Sequence, residues 1–300
     1  MSGKIVECVP NFSEGVREDV IKSIEEAFKS IKGCKVLDVA PDKDHNRTVY
    51  TVIGEPQAVK QGLITAIETA LKYIDLNNHK GEHPRLGACD VAPFIPVSNM
   101  TMEECINLSR EAAIEVWEKF SIPVYYYEES TLVAGRSNLA DIRKGEFETL
   151  KTEITLPHRK PDVGEAKLHQ TAGAIVIGAR KPLIAYNVNL NTSDLSVAKA
   201  IAKRMRAKTG GLTYVKAIGV MLSERNIAQV SMNLTDFSKS ALYTVFEMVK
   251  MEALRYGVIP VGSEIIGLVP MEALIESAKY YLQLEGFQAS QILETHLLGE

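Results

Sequence analysis

The sequence predicts an α/β (α+β) protein built from two similar subdomains, each a mixed β-sheet with helices packed on one face. Two observations support this fold class. Short β-branched and aliphatic runs alternate with helical periods of apolar residues along the 300-residue chain, and the second half repeats the order of elements found in the first. Because a single core stops growing near this length, we favour two domains, 1–178 and 179–300.

The first half begins with the predicted order β-α-β-β-α. The predicted strands are Ile5–Val9, Lys35–Val39, Arg47–Ile53, Val91–Val97 and Val124–Tyr127. The predicted helices, in which apolar residues recur every three or four positions, are Val20–Ile31, Val59–Ile74 and Met102–Phe120. Residues 135–165 are poor in periodicity and rich in turn formers, so they are interpreted as a linker and loop region.

The second half starts afresh with elements in a similar order, which indicates a weak internal duplication. Strands are predicted over Ala174–Ile177, Leu183–Val188, Val215–Met221 and Ala228–Leu234, and a further strand and helix follow Val258–Val261. Helices are predicted over Leu195–Met205 and Leu242–Leu254, the second capped by Thr235 or Asp236. Adjoining strands favour antiparallel pairing and no GxGxxG or P-loop occurs, so a doubly wound nucleotide fold is excluded.

Composition and charge narrow the classes of partner. The chain has 34 basic and 38 acidic residues and a net charge of -4, without the basic excess typical of proteins that bind nucleic acid. Its longest apolar stretch, around 172–179, is too short for a membrane helix, and the N-terminus lacks a signal core, so we expect a cytoplasmic protein. The four cysteines have no CxxC spacing, which predicts free, mostly buried thiols: Cys8, Cys34, Cys89 and Cys105.

The densest polar cluster is the segment His79–Asp90. Two histidines four residues apart would face one metal on a helix, but Gly81 and Pro84 indicate a loop, so no metal site is predicted. His79 is interpreted as a residue that satisfies loop backbone groups. His83 is the candidate for chemistry, because Pro84 restricts its backbone and the neighbouring Arg85 would tune its pKa near neutrality.

Other polar segments leave alternatives open. Asp44–Arg47 is either a structural turn or part of a site, and the glycine-rich stretch 162–180 would allow a ligand close to the backbone. Strand alternation places Gln229, Ser231 and Asn233 on one face, which suits a wet cleft or a solvent-facing strand. The basic helix Lys199–Lys208 is either a solvated face, the favoured interpretation, or a surface that attracts an anionic substrate.

Six segments in the same order resemble the glutamate formiminotransferase family. They are Val6–Gly15, Asn46–Val49, His79–Arg85, Gly164–Arg180, Asn187–Leu190 and Val261–Glu264. The resemblance runs from the first strand to about Ala273. It implies two similar α/β subdomains, a folate site in the groove between them, and a homodimer. In animals this unit is fused to a cyclodeaminase, which the present chain is too short to contain.

The resemblance also implies an activity and its site residues. The family transfers the formimino group of N-formimino-L-glutamate to tetrahydrofolate, a co-substrate, giving 5-formiminotetrahydrofolate and L-glutamate in histidine degradation, without a metal. His83 matches the catalytic base. The family's folate-binding segment aligns with Gly164, Glu165, Ala166, Lys167, Leu168, His169, Gln170, Thr171, Ala172 and Gly173. Val163, Glu165 and Gln170 depart from the Phe, Pro and Pro of the family pattern, which affects the pterin contacts.

The residue types fit this chemistry. A base must take the proton of the attacking folate N5 amine and an acid must protonate the departing glutamate nitrogen, and one neutral histidine does both in turn. The two substrate carboxylates need fixed cations. The candidate substrate-binding residues are Asn11, Asn46, Arg47, Arg85, Arg180, Asn189, Gln229 and Asn233. Gly164 and Gly173 are expected to line the folate cleft, so that bulky side chains there weaken folate binding before they weaken stability.

Two further functions are compatible with the same residues. The fold and folate site would also serve a relative that uses 5-formyltetrahydrofolate or another formimino amino acid as donor. A third possibility is a non-catalytic folate-binding module, which the intact His83-Pro84-Arg85 motif opposes.

Overall fold

The computed structural model of the chain describes residues 3–298 and contains two β-sheets, each with its own helices and core. The predicted α/β class is therefore confirmed. The polypeptide passes from the first compact unit to the second between Arg180 and Lys181.

The first unit holds a mixed seven-stranded sheet. Its strands are β1 (Ile5–Cys8), β2 (Asn11–Phe12), β3 (Cys34–Asp42), β4 (Arg47–Gly54), β5 (Cys89–Ser98), β6 (Val124–Glu128) and β7 (Ile175–Ala179). Strands β1 and β2 both pair with β4 on one side and β5 on the other, so they act as one strand interrupted near Pro10. Strand β7 pairs in parallel with β5 and β6, whereas the other strand pairs are antiparallel.

Three long helices cover one face of this sheet: α1 (Glu18–Lys29), α2 (Pro56–Leu71) and α3 (Met102–Phe120). The bounds of α3 match the prediction, because Thr101 and Glu104 form a capping box at its start and Ser121 ends it in the left-handed conformation. The core beneath these helices includes edge-to-face contacts of Phe12 with Phe28 and Tyr50.

Residues 135–165 are not a linker, contrary to the sequence prediction. They contain two short helices, α4 (Leu139–Ile142) and α5 (Glu146–Glu153). Ile142 and Leu150 pack with Val91, Tyr125 and Val176 in a cluster separate from the main core. Neighbouring positions along the same strands belong to the main core, and strand side chains alternate between faces. Helices therefore cover both faces of this sheet, which differs from the predicted one-face arrangement.

The strand predicted to open the second half also belongs to the first unit. It is β7, which lies between β5 and β6. Its sequence is apolar on both faces, as expected for a buried parallel strand. Periodicity alone does not say which sheet such a strand joins.

The second unit holds a four-stranded sheet in the order β11-β8-β10-β9, formed by β8 (Ile184–Leu190), β9 (Val215–Leu222), β10 (Ile227–Leu234) and β11 (Pro260–Ile266). Its strand pairs are antiparallel, so the predicted mixed pairing does not extend to this sheet. The helices are α6 (Leu195–Met205), α7 (Leu242–Leu254), α8 (Met271–Leu282) and α9 (Thr295–Leu298), with short 3₁₀ segments at Ala207–Thr209 and Ala289–Gln291.

Two local predictions in the second unit are wrong. The N-cap of α7 is Ala241, whereas Asp236 pairs with Lys181 and accepts hydrogen bonds from Ser238. The basic helix ends at Met205, so the cations of Lys199–Lys208 are divided between α6 and the segment that follows it.

The cysteines agree with the prediction of free, mostly buried thiols. All four cysteines are buried, and within the described range none forms a disulfide. Burial raises the pKa of each thiol, which keeps it protonated. None of the helices between residues 3 and 298 is long and apolar enough to cross a membrane.

Candidate active site

The segment that carries both candidate histidines is a loop between α2 and β5, as predicted. His79 Nδ1 accepts a hydrogen bond from Arg85 Nε at 3.1 Å, so its Nε2 donates to the Asn46 carbonyl oxygen at 2.9 Å. Burial lowers the pKa of His79, which keeps the ring neutral. These contacts support the structural role predicted for His79.

His83 lies against a different cation from the one predicted. Its Nε2 is 2.9 Å from Arg47 Nη1, and because a guanidinium only donates, Nε2 is the acceptor. Burial, followed by the charges of Arg47 and Arg143, lowers the pKa of His83 from 6.5 to about 3. The ring is therefore a neutral imidazole near pH 7. The expectation that Arg85 tunes His83 close to neutrality is wrong.

Arg47 joins His83 to the interrupted strand β1/β2. Arg47 begins β4, and its Nη1 also donates to Asn11 Oδ1 at 3.2 Å. Asn11 is held there because it begins β2, opposite Val49 of β4. Burial lowers the pKa of Arg47, although the guanidinium stays charged. The sequence-predicted residues Asn11, Arg47 and His83 are thus brought together.

Asn46 connects the loops around this group. It adopts a left-handed conformation, with φ of 46°, at the turn between β3 and β4. Its Oδ1 accepts from the Gly15 amide at 2.9 Å, and its Nδ2 donates to the Lys80 carbonyl at 2.7 Å. Both ends of the side-chain amide therefore fix neighbouring backbone.

The other two candidate arginines lie in different surroundings. Arg85 is buried and pairs with Glu146 and Glu148, both at 2.8 Å. Arg180 follows β7, where its charge opposes the rise in the pKa of Glu7 that burial causes. Arg47 is therefore the candidate arginine that contacts His83 directly.

Two further groups near His83 were not among the predicted site residues. His45 forms an edge-to-face contact with His83, with ring centroids 6.3 Å apart, and its Nδ1 is 2.6 Å from Asp42 Oδ2. Burial opposes ionisation of Asp42, but hydrogen bonds from His45 hold its pKa below the usual value. The second group is Arg143, whose charge lowers the pKa of His83. The sequence singles out the polar turn that contains His45, whereas it predicts a linker for the segment that contains Arg143.

Across residues 3–298, no group of three His, Cys, Asp or Glu side chains is arranged to hold a metal ion.

The predicted folate-binding segment 164–173 is a loop that pairs with the loop carrying His83. The Leu76 and Ala88 amides donate to carbonyls of this segment, and the Ala174 amide donates to the Leu86 carbonyl. His169 Nδ1 accepts from the amide of Ala172 at 3.0 Å, which folds the segment on itself. Its most exposed members are Gly164, Glu165, Lys167 and Gln170.

Both ends of this segment are glycines for reasons of packing. A Cβ on Gly164 would lie 2.4 Å from the Trp117 ring, and one on Gly173 would lie 2.2 Å from the Leu86 carbonyl oxygen. Both residues also have positive φ. The close approach at these positions is therefore to the protein itself, which corrects the expectation that bulk there affects folate binding before stability.

We accordingly expect Gly173→Val to destabilise the first unit by at least ~2 kcal/mol, since it adds a backbone clash to left-handed strain. Gly135→Val is the matched control, because Gly135 has a similar positive φ but nothing within 4 Å of its Cβ position. Urea unfolding of both variants measures the difference. Equal stability of the two variants would contradict the packing argument.

A second polar group lies on one face of the sheet in the second unit. Gln229 Nε2 donates to Asn189 Oδ1 and to Glu264 Oε1, each at 2.8 Å, and Asn187 Nδ2 reaches the same Glu264 oxygen at 3.2 Å. The strand register places these residues side by side, as alternation predicted for β10. Asn233 is exposed and pairs with Ala185, apart from this group. Glu264 lay in a quoted motif but was not predicted as a site residue.

Comparisons with known proteins identify the family of both units. Residues 5–180 match the model of the formiminotransferase domain, N-terminal subdomain, and residues 185–297 match that of the formiminotransferase domain. The chain is 48% identical to glutamate formimidoyltransferase of Streptococcus pyogenes over 99% of both chains, and 48% identical to that of Thermoplasma acidophilum over 97% of this chain and 96% of the relative. It is 43% identical to mouse formimidoyltransferase-cyclodeaminase, covering 94% of this chain and 53% of that protein. The chain therefore belongs to the formiminotransferase family.

Proposed function

We propose that this protein is a glutamate formimidoyltransferase, which moves the formimino group of N-formimino-L-glutamate to N5 of tetrahydrofolate and releases L-glutamate. The observation that carries the proposal is the neutral His83 ring, whose Nε2 accepts from the guanidinium of Arg47. The full-length similarity to two glutamate formimidoyltransferases supports the same reaction.

The Arg47–His83 pair suggests an order of events. In this structure Arg47 donates to the lone pair of His83 Nε2, and with that hydrogen bond in place His83 is a poor base. A carboxylate of formiminoglutamate is a stronger acceptor for a guanidinium than a neutral imidazole is. We infer that substrate binding draws the Arg47 N–H away, frees Nε2 and raises the pKa of His83.

The freed histidine then acts twice. N5 of tetrahydrofolate attacks the formimino carbon, and His83 Nε2 takes the proton that N5 loses as the tetrahedral adduct forms. The bond from that carbon to the glutamate nitrogen then breaks, and the histidinium returns its proton to this nitrogen. Glutamate leaves with its amine intact, the formimino group stays on N5, and His83 is neutral again.

The loop 164–173 is proposed to hold the folate, because it is hydrogen-bonded to the loop carrying His83 and exposes backbone at its tip. Within the second unit, Asn189 and Gln229, with Glu264 beside them, stay proposed as ligands for polar groups. Tetrahydrofolate is a co-substrate in this scheme, and no step uses a metal.

We also propose a cytoplasmic homodimer that serves histidine degradation. Exposed apolar side chains in the second unit, including Met251, Leu254, Val261, Ile266 and Leu282, support a subunit contact there. Light scattering of the purified protein tests the dimer. A monomeric mass at micromolar concentration would contradict it.

A donor panel tests the reaction itself. We expect N-formimino-L-glutamate to exceed formiminoglycine by about 10- to 100-fold in kcat/KM, because the shorter donor lacks the side-chain carboxylate that a cation would bind. Absorbance on mixing each donor with tetrahydrofolate measures transfer. Preferential use of 5-formyltetrahydrofolate with glutamate would favour the alternative donor, and folate binding without any transfer would favour a non-catalytic module.

A further inference from the structure

We propose that residues 143–148 form a clamp that holds the His83 loop in its working position, with Arg85 as a positioning residue. The inference rests on the proposed function, in which His83 is the base. It assigns a role to a segment that the sequence presented as a linker, and it removes Arg85 from the candidates for binding a substrate carboxylate.

The first attachment of the clamp is a cluster of ion pairs around the buried Arg85 side chain. Arg85 Nη1 donates to Glu146 Oε2 at 2.8 Å and to Glu148 Oε2 at 3.0 Å, while Nη2 donates to Glu148 Oε1 at 2.8 Å. The Arg85 side chain is only 9% exposed, whereas those of Glu146 and Glu148 are 41% and 58% exposed, so water and salt reach the carboxylates but hardly the guanidinium. The hydrogen bond from Arg85 is the main reason why the pKa of Glu148 is lowered.

The donors of Arg85 are fully used by these contacts. Besides the two carboxylates, Nε donates to His79 Nδ1 and Nη2 reaches the His79 carbonyl oxygen. A guanidinium has five N–H groups, and here five contacts engage them. A substrate carboxylate would therefore have to displace a protein partner to reach Arg85.

The second attachment is made through the start of β5. Arg143 forms an ion pair with Asp90, whose side chain is 3% exposed. Asp90 Oδ1 in turn accepts from the Leu86 amide at 2.6 Å. The loop backbone is thus tied to residue 143 through a carboxylate that belongs to β5.

Between the two ion pairs the clamp touches the loop backbone itself. The Phe147 amide donates to the Arg85 carbonyl oxygen at 2.9 Å, and the Phe147 ring is buried in the main core. Gly145 and Glu146 both have positive φ, 79° and 56°. Left-handed backbone at a non-glycine residue persists only where surrounding contacts enforce it, and here the enforced turn aims Arg143 and Glu146 at the loop.

These contacts matter because residues 79–85 lie outside the helices and strands, so contacts with other segments fix their position. His83 lies between Lys80, whose carbonyl is held by Asn46, and Arg85, which is held by the clamp. General-base catalysis requires Nε2 within hydrogen-bonding distance of the reacting proton, and a small displacement is costly. The clamp therefore acts on kcat through the position of His83.

The test replaces both carboxylates by amides in Glu146→Gln/Glu148→Gln. The matched control is Glu111→Gln/Glu115→Gln, because these two carboxylates also share one cation, with Lys60 Nζ at 3.6 and 3.2 Å. We expect the clamp variant to lose about tenfold in kcat with KM for formiminoglutamate within about twofold of wild type. The control should leave both constants unchanged.

Two further measurements separate positioning from loss of structure or of function. The imidazole nitrogen signals of His83 should move in the clamp variant and not in the control, a result that needs no turnover. Arg85→Lys should retain more kcat than Arg85→Met, since lysine keeps the charge without the bidentate geometry. If the double variant melts below assay temperature, the singly substituted Glu146→Gln replaces it.

The outcomes are distinct. A rise in KM at constant kcat for Arg85→Met would make Arg85 a substrate ligand and overturn the clamp. Unchanged kcat and unchanged His83 signals in the double variant would do the same. Absence of formimino transfer by the wild type, with the His83 signals still moved by the clamp substitutions, would overturn the proposed function and leave the clamp in place.

Discussion

Replacing His83 with alanine is expected to lower kcat by about 10² to 10⁴ while the affinity for folate changes little, because general acid–base catalysis contributes about that factor. His83 lies in the loop between α2 and β5, and its Nε2 contacts the Arg47 guanidinium. Steady-state kinetics with saturating tetrahydrofolate, together with folate titration of the variant, measure the two effects separately.

His79→Ala is the matched control for this change. His79 bonds to loop backbone and to Arg85, so its loss should reduce kcat much less. His158→Ala, in an exposed loop, should have no effect. Equal losses for His79 and His83, or a requirement of the wild type for added zinc, would contradict a single-histidine mechanism.

Arg47→Met is expected to have the second largest effect, a loss of about 10²-fold in kcat/KM, since it would remove the charge-assisted contact that we propose for a substrate carboxylate. The same change removes a cation from His83, so the pKa of His83 should rise from about 3 towards 6.5. The remaining influences on the pKa of His83 are burial, which is the largest, and the charges of Arg143 and His45, all of which lower it, and Asp42, which raises it.

The direction of the pH effect follows from the protonation state that catalysis needs. A general base must be neutral to accept a proton. In the wild type, His83 stays neutral until the pH falls close to its lowered pKa. In Arg47→Met the residual kcat/KM should fall as the pH drops through the higher pKa. Imidazole NMR titration of both proteins measures this, with Arg255→Met, a largely exposed arginine paired to Glu252, as the control. If His83 titrates identically in the wild type and in Arg47→Met, Arg47 does not control the pKa of His83.

Local signals in the sequence were sufficient for most elements. The bounds of α3 follow from the spacing of its apolar residues, and the loop character of 79–87 follows from Gly81 and Pro84. The shared face of Gln229 and Ser231 follows from strand alternation, and the register then places Asn189 and Asn187 opposite them. Each of these inferences uses residues that are close in sequence or regular in period.

The sequence did not indicate which side chains the charged groups contact in the folded protein. Arg85 pairs with carboxylates 61 and 63 residues away, and Arg47 meets His83 across 36 residues. The helices α4 and α5 are short and bury few side chains, so they leave no periodic pattern that would identify them. The sequence thus identified His83 and Arg47 as candidates, but it misassigned the cation that controls His83.

The place of β7 in the first sheet has a consequence for synthesis of the protein. Strand β7 lies between β5 and β6, yet it follows β6 by the whole segment that holds α4 and α5. The ribosome adds that segment at ~5–20 residues per second. For several seconds, therefore, β5 and β6 have been synthesised but lack the strand that pairs with both of them. Nascent chains that end before Ile175 should therefore expose the unpaired edges of both strands and bind chaperones, and release should follow once Ala179 has emerged.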